Sequence, residues 1–123
     1  MDHDHTTTDR IIGCAIDVHR DLGAGLLESA YQTALCFELA HRGIRFERER
    51  LVPLVYRGMK IGDYRPDLIV EGTVVVEVKS VLRYEPVFTA QMLTYLRITG
   101  LRVGLLLNFN NTVLLNGIKR IVL

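Results

Sequence analysis

The sequence predicts a single α/β domain built around a mixed sheet, and three observations carry that expectation. Periodicity gives the order helix, helix, three strands, helix, then one or two strands. Residues 103–109 are too apolar for a strand with one wet face, as expected of a sheet covered on both sides. The 123 residues, half of them apolar and a quarter charged, suffice for one real core.

Taken in order, residues 1–8 are polar and read as a frayed tail, which leaves 9–123 as the domain. Asp9 stands where a cap is wanted, ahead of Ile11, Ala15, Val18 and Leu22 at helical spacing. Gly23 and Gly25 stop that helix. A second helix is expected over 26–42, with Leu27, Tyr31, Leu35 and Leu39 along one stripe and Gly43 as its stop. Glu28 and Glu38 both fall inside the apolar arc. Glu28 lies in the first turn, where the helix dipole favours a carboxylate.

Residues 44–56 read as extended, with Pro53 marking a bend or an edge. A turn at Arg57-Gly58-Met59 leads to a strand over 60–70, and Glu71-Gly72-Thr73 separates it from a strand over 74–82. A helix over 85–99 follows, with Pro86 in its first turn and Gly100 after its end. A turn at 108–111 precedes a short last strand at 113–115 that resumes near Ile118.

Composition excludes several classes. No run is long enough for a membrane span and no signal peptide opens the chain, so a cytoplasmic protein is expected. Cys14 and Cys36 fall on separate helices, away from any CxxC spacing, and read as reduced, packed thiols. A net charge of +1 does not announce a nucleic-acid binder, so any such binding needs a local patch. The apolar share is slightly high for so small a surface and hints at a buried oligomer face, and one short domain has little surface for wrapping a duplex, so a homodimer or a partner chain is expected.

Chemistry concentrates between Arg65 and Lys79, where two acids and a lysine stand among aliphatic residues. Side chains alternate along a strand, so Glu77 and Lys79 share one face, about 7 Å apart. A three-residue loop of Glu71, Gly72 and Thr73 pairs Val70 with Val74 and brings Asp67 opposite Glu77. A two-residue loop would send Asp67 to the other face. In the first register the carboxylates lie with Cβ atoms about 5 Å apart, and two such anions share a proton or bind a cation. A hard divalent ion such as Mg²⁺ suits them, and Lys79 beside it could orient or help deprotonate a water. On a solvated strand the same residues would be a surface ion pair. Gln91 and Tyr95 share a face of the third helix, as do Glu28 and Tyr31 on the second.

Asp67 after Pro66, then Glu77-Val78-Lys79, then Gln91-x-x-x-Tyr95, resembles the PD-(D/E)XK nuclease superfamily. With Gly25-Leu26-Leu27-Glu28-Ser29-Ala30-Tyr31 the chain looks like the bacterial and archaeal GxxExxY family, over about residues 9–123. The resemblance implies a restriction-endonuclease-like αβββαβ core with a central mixed sheet flanked by helices. It implies Mg²⁺ or Mn²⁺ on Asp67 and Glu77, with the Val78 carbonyl as a further ligand. Glu28 would be an extra ligand or water-holder, and Lys79 would position the attacking water. Gln91, Tyr95 and Tyr31 would support the site.

The implied activity is metal-dependent hydrolysis of nucleic acid, with DNA ahead of RNA. The alternative is a catalytically silent nuclease-fold module that binds or assembles with a partner. Arg57, Lys60 and Arg65, with Arg45, Arg48 and Arg50, either gather as a phosphate-binding lip or protect a solvated sheet edge. His19-Arg20-Asp21-Leu22 matches a kinase catalytic-loop string but lies within a helix, with no glycine loop to accompany it. His3 and His5 could bind a metal only incidentally, and Gly23-x-Gly25 is a helix break rather than a phosphate cradle.

Overall fold

The structure is a computed structural model and describes residues 3–123. Among the described residues, seven strands and three α-helices follow one another as α1 (His3–Leu22), α2 (Glu28–His41), β1 (Phe46–Arg48), β2 (Val52–Tyr56), β3 (Met59–Tyr64), β4 (Leu68–Val70), β5 (Val74–Lys79), α3 (Pro86–Thr99), β6 (Val103–Asn108) and β7 (Ile118–Val122). A 3-10 turn, Leu114–Gly117, precedes β7.

Five strands form the main sheet in the order β1-β4-β5-β6-β7. Only β5 and β6 run parallel, joined through α3, and the other pairs are antiparallel. Both parallel strands are buried on both faces, which explains the unbroken aliphatic runs in their sequences. Alternation along β5 then assigns the layers. Val74, Val76 and Val78 pack with Ile11, Val18, Leu35 and Leu39 of α1 and α2. Val75 packs with Met92, Tyr95 and Leu96 of α3. Gly104 on β6 admits α3 closely, because a Cβ there would overlap the Met92 side chain. Glu77 and Lys79 continue the α3-facing row.

Several boundaries differ from the sequence reading. α1 begins at His3, so most of the expected tail is helical and Asp9 lies inside the helix rather than at its cap. Met1 and Asp2 lie outside the described residues. Thr8 is buried and its hydroxyl donates to the His5 carbonyl one turn back.

The expected strand over 44–56 divides at Glu49, whose φ of 52° is incompatible with extended pairing. The expected strand over 60–70 divides where Pro66 removes an amide donor. What lies between, β2 and β3, forms a separate two-stranded ribbon that leans on α3 through β2. Pro53 sits in that ribbon, a bulge follows at Leu54 and Val55, and the edge role expected of it holds. Residues 113–115 do not form the expected strand. Most of them enter the 3-10 turn, and the pairing with β6 begins at Ile118. Asn111 holds this corner by donating its side-chain amide to the Asn108 carbonyl at 2.9 Å.

Cys14 and Cys36 are free and buried, and burial pushes both thiols up. No helix among the described residues is long and apolar enough to cross a membrane.

A carboxylate pair held by reciprocal backbone bonds

The turn after β4 decides the geometry. Val70 pairs with Val74 across Glu71, Gly72 and Thr73. Glu71 and Gly72 both adopt left-handed backbone, at φ 54° and 66°, and the Thr73 amide donates to the Val70 carbonyl at 3.0 Å. Left-handed geometry is uncommon for a glutamate. Here Glu71 is held from outside: its amide donates to the Arg45 carbonyl at 2.9 Å, and its Oε1 accepts from the Arg45 amide at 3.1 Å.

One step beyond Leu68↔Val76 in this register, Asp67 meets Glu77. Side chains replace the backbone ladder at that step. The Asp67 amide donates to Glu77 Oε1 at 2.8 Å, and the Val78 amide donates to Asp67 Oδ2 at 2.8 Å. Each carboxylate is therefore fixed by the chain that carries the other, or by its neighbour. Each keeps a second oxygen for a cation or a shared proton. The Asp67 carbonyl also accepts from the Glu49 amide at 3.0 Å, tying the site to the end of β1.

The electrostatics follow from burial. Glu77 is 5% exposed, and burial together with the Asp67 charge raises its carboxyl from 4.5 to about 8, against the pull of the Asp67 amide and of Lys79. Burial also raises Asp67, and the Glu28 charge adds to it, while the Val78 amide and Lys79 oppose. With its carboxyl raised to about 8, Glu77 holds a proton near neutrality beside Asp67. Such a pair suits a hard divalent cation, which would displace the proton and neutralise the buried charge.

The remaining expected residues distribute as follows. Lys79 sits on the same face as Glu77, with its ammonium 4.5 Å from the Phe88 ring centre. Gln91 donates to the Tyr95 hydroxyl at 3.0 Å, and burial with the charges of Glu77 and Asp67 pushes Tyr95 up to about 12. Both line a cleft of about 570 Å³ with Lys79, Phe88 and Tyr64.

Glu28 is exposed at the start of α2, close enough for its charge to act on Asp67. No group of three acidic, histidine or cysteine side chains converges on one point among the described residues, so Glu28 does not complete a cage with the pair. Tyr31 is fully buried away from the acids. Its hydroxyl donates to the Gly23 carbonyl at 2.5 Å and accepts from the Leu26 amide at 3.1 Å, and its ring stacks on Phe109 at 4.5 Å. It fixes the bend that delivers Glu28.

The basic residues are dispersed. Arg45 pairs with Glu71, Arg48 with Glu49, Arg50 with Glu47 and Lys60 with Asp63, while Arg57 lies over Tyr56 and Arg65 is exposed before Pro66.

Two residues the motif reading passed over also build the site. The Ser80 hydroxyl donates to the Leu26 carbonyl at 2.6 Å, drawing the α1–α2 bend to the end of β5. The Asn108 side chain accepts from the Val81 amide at 3.1 Å and donates to its carbonyl at 3.0 Å, prolonging the β5–β6 pairing past Lys79. An asparagine ending a buried strand was the one available signal, since its amide can mimic a peptide.

Sheet order, flanking helices and the acid pair together define a restriction-endonuclease-like fold. The family model of the PD-(D/E)XK nuclease superfamily matches residues 5–121, and the chain belongs to that superfamily. A nuclease-type function goes with that membership. No curated protein and no solved structure gave a significant match.

The raised Glu77 carboxyl sets a testable pH dependence. Below about 4.5 it is protonated in both folded and unfolded chains, so it contributes no pH slope. Between that value and about 8 only the unfolded chain ionises it, so stability falls as pH rises, and the full penalty is present above about 8. Thermal unfolding in EDTA should therefore show Tm declining from pH 5 to 9, and Glu77→Gln should flatten that decline and raise Tm at the alkaline end. An unchanged slope in Glu77→Gln would contradict the proton held by Glu77.

Proposed function

We propose that this protein is a metal-dependent nuclease that hydrolyses phosphodiester bonds through Asp67, Glu77, Lys79 and Glu28. The observation carrying the reading is the reciprocal bonding of Asp67 and Glu77, which keeps a buried and a half-buried carboxylate together without a cation partner in the pair itself. The Gly25-x-x-Glu28-x-x-Tyr31 spacing supports placement in the GxxExxY family, and the buried free cysteines suit a reducing cytoplasm.

Asp67 and Glu77 would hold Mg²⁺ or Mn²⁺, with the Val78 carbonyl as a third oxygen and Glu28 reaching it through water. Bound there, the ion supplies Lewis-acid polarisation of the phosphate and a more acidic water. Lys79 orients that water and offsets negative charge growing on the phosphate, and the Phe88 ring holds its ammonium in position. Gln91 and Tyr95, bonded to one another, keep the wall of the cleft in place beside Lys79 and give the substrate backbone a polar contact. Arg57, Lys60 and Arg65 lie on the β2–β3 ribbon and its exit, where they would meet phosphates outside the cleft. DNA ranks ahead of RNA as substrate.

Exposed Leu26, Leu27 and Phe37 on and before α2 support a homodimer through that apolar face. Sedimentation velocity should show a dimer that Phe37→Glu dissociates, and a monomer at every concentration would remove this part of the proposal. The competing view, a silent module, draws on the lack of a third converging ligand among the described residues. Activity separates the two. With Mn²⁺ the wild type should cut nucleic acid, and Lys79→Ala should lose at least about 100-fold in rate while its circular dichroism stays native. Cleavage undiminished in Lys79→Ala, or none by the wild type on single-stranded, duplex, branched or RNA substrates, would count against the nuclease.

A further inference from the structure

Beside the acid pair, cations and rings alternate along the surface. The Lys79 ammonium lies over Phe88 at 4.5 Å, and Phe88 meets Tyr84 edge-on at 5.6 Å. The Lys119 ammonium, from β7, lies over Tyr84 at 4.3 Å. The series Lys79, Phe88, Tyr84, Lys119 thus runs outward from the site across three chain segments. Tyr84 is 40% exposed, and its hydroxyl is bonded to the Thr89 hydroxyl, which steadies the ring. Leu82, in the same β5–α3 loop, is 92% exposed. On the other wall of the cleft Tyr64 is 38% exposed and packs edge-on against Tyr95.

Phe88 is half-buried against the α3 core, but Tyr84, Leu82 and Tyr64 leave apolar surface in water beside the acid pair, which a ligand would cover. Unpaired bases present flat π faces, and a single-stranded backbone presents phosphates at intervals. An aromatic series punctuated by lysines matches both. A duplex hides its base faces and is held chiefly through many phosphate contacts. This chain is poorly equipped for that, since its net charge is +1 and Arg45, Arg48 and Arg50 are already paired with acids. Lys119 is engaged by a ring instead and is available to a phosphate.

We infer that the substrate is a single-stranded nucleic acid, or the unpaired arm of a branched one, whose bases pack against Tyr84 and the exposed β5–α3 loop while Lys119 and Lys79 meet its phosphates. This rests on the nuclease reading for its direction of approach, but its binding test does not depend on cleavage.

Anisotropy in EDTA should be measured with labelled oligothymidylate, labelled oligouridylate and a blunt duplex of matched length. Both single strands should bind about tenfold or more tighter than the duplex, and the ratio of the two decides DNA against RNA. Tyr84→Ala, on an exposed loop, should weaken single-strand binding about tenfold, whereas Tyr84→Trp should retain it. Lys119→Ala should reduce the salt slope by about one phosphate contact. Duplex binding as tight as single-strand binding, or single-strand affinity unchanged in a folded Tyr84→Ala, would overturn the inference. Preferential cleavage of duplex lost in Lys79→Ala would likewise overturn it while leaving the nuclease intact. Single-strand binding with no cleavage under either ion would sustain the strand track and defeat the nuclease reading.

Discussion

Two amide-to-carboxylate bonds, Asp67 to Glu77 and Val78 to Asp67, are the constraint on which the site depends. They stand where the β4–β5 ladder would otherwise continue, so the sheet closes its own hydrogen bonding with two carboxylates. Removing either acid leaves a buried amide without its acceptor and changes the sheet as well as the chemistry. Burial then creates the electrostatic tension: a proton retained by Glu77 well above its ordinary range. A strand pair that only needed stability would not place two carboxylates there.

The other elements secure this arrangement from three sides. Asn108 and the parallel β6 strand extend the support beneath Lys79. Tyr31 and Ser80 fix the bend from which Glu28 starts, so the Gly25-to-Tyr31 stretch combines an exposed acid with a structural brace. α3 packs its apolar face on Val75 and Leu106 and sets Gln91, Tyr95 and Phe88 along the cleft.

Much of this was legible because it is local. Period-two alternation places Glu77 with Lys79, and period-3.6 spacing places Gln91 with Tyr95. The odd-length turn could be stated as a requirement but not decided, because a left-handed glutamate is held by Arg45, distant in sequence. The detachment of β2 and β3 escaped for a similar reason. An alternating strand looks the same whether it joins the main sheet or a ribbon, and partner choice is non-local. Lys119 meets Tyr84 only through the return of β7 beside β6, which no pattern in either segment announces. The first helix exceeded its expected start because a polar stretch with no breaker can continue a helix without an apolar stripe.

The most direct test of the carboxylate pair is a calorimetric Mn²⁺ titration near pH 7, run in buffers of different ionisation enthalpy. If the proton held by Glu77 beside Asp67 yields to the ion, binding should release about one proton and should vanish in Asp67→Asn. Binding with no proton release, or binding undiminished in Asp67→Asn, would contradict it.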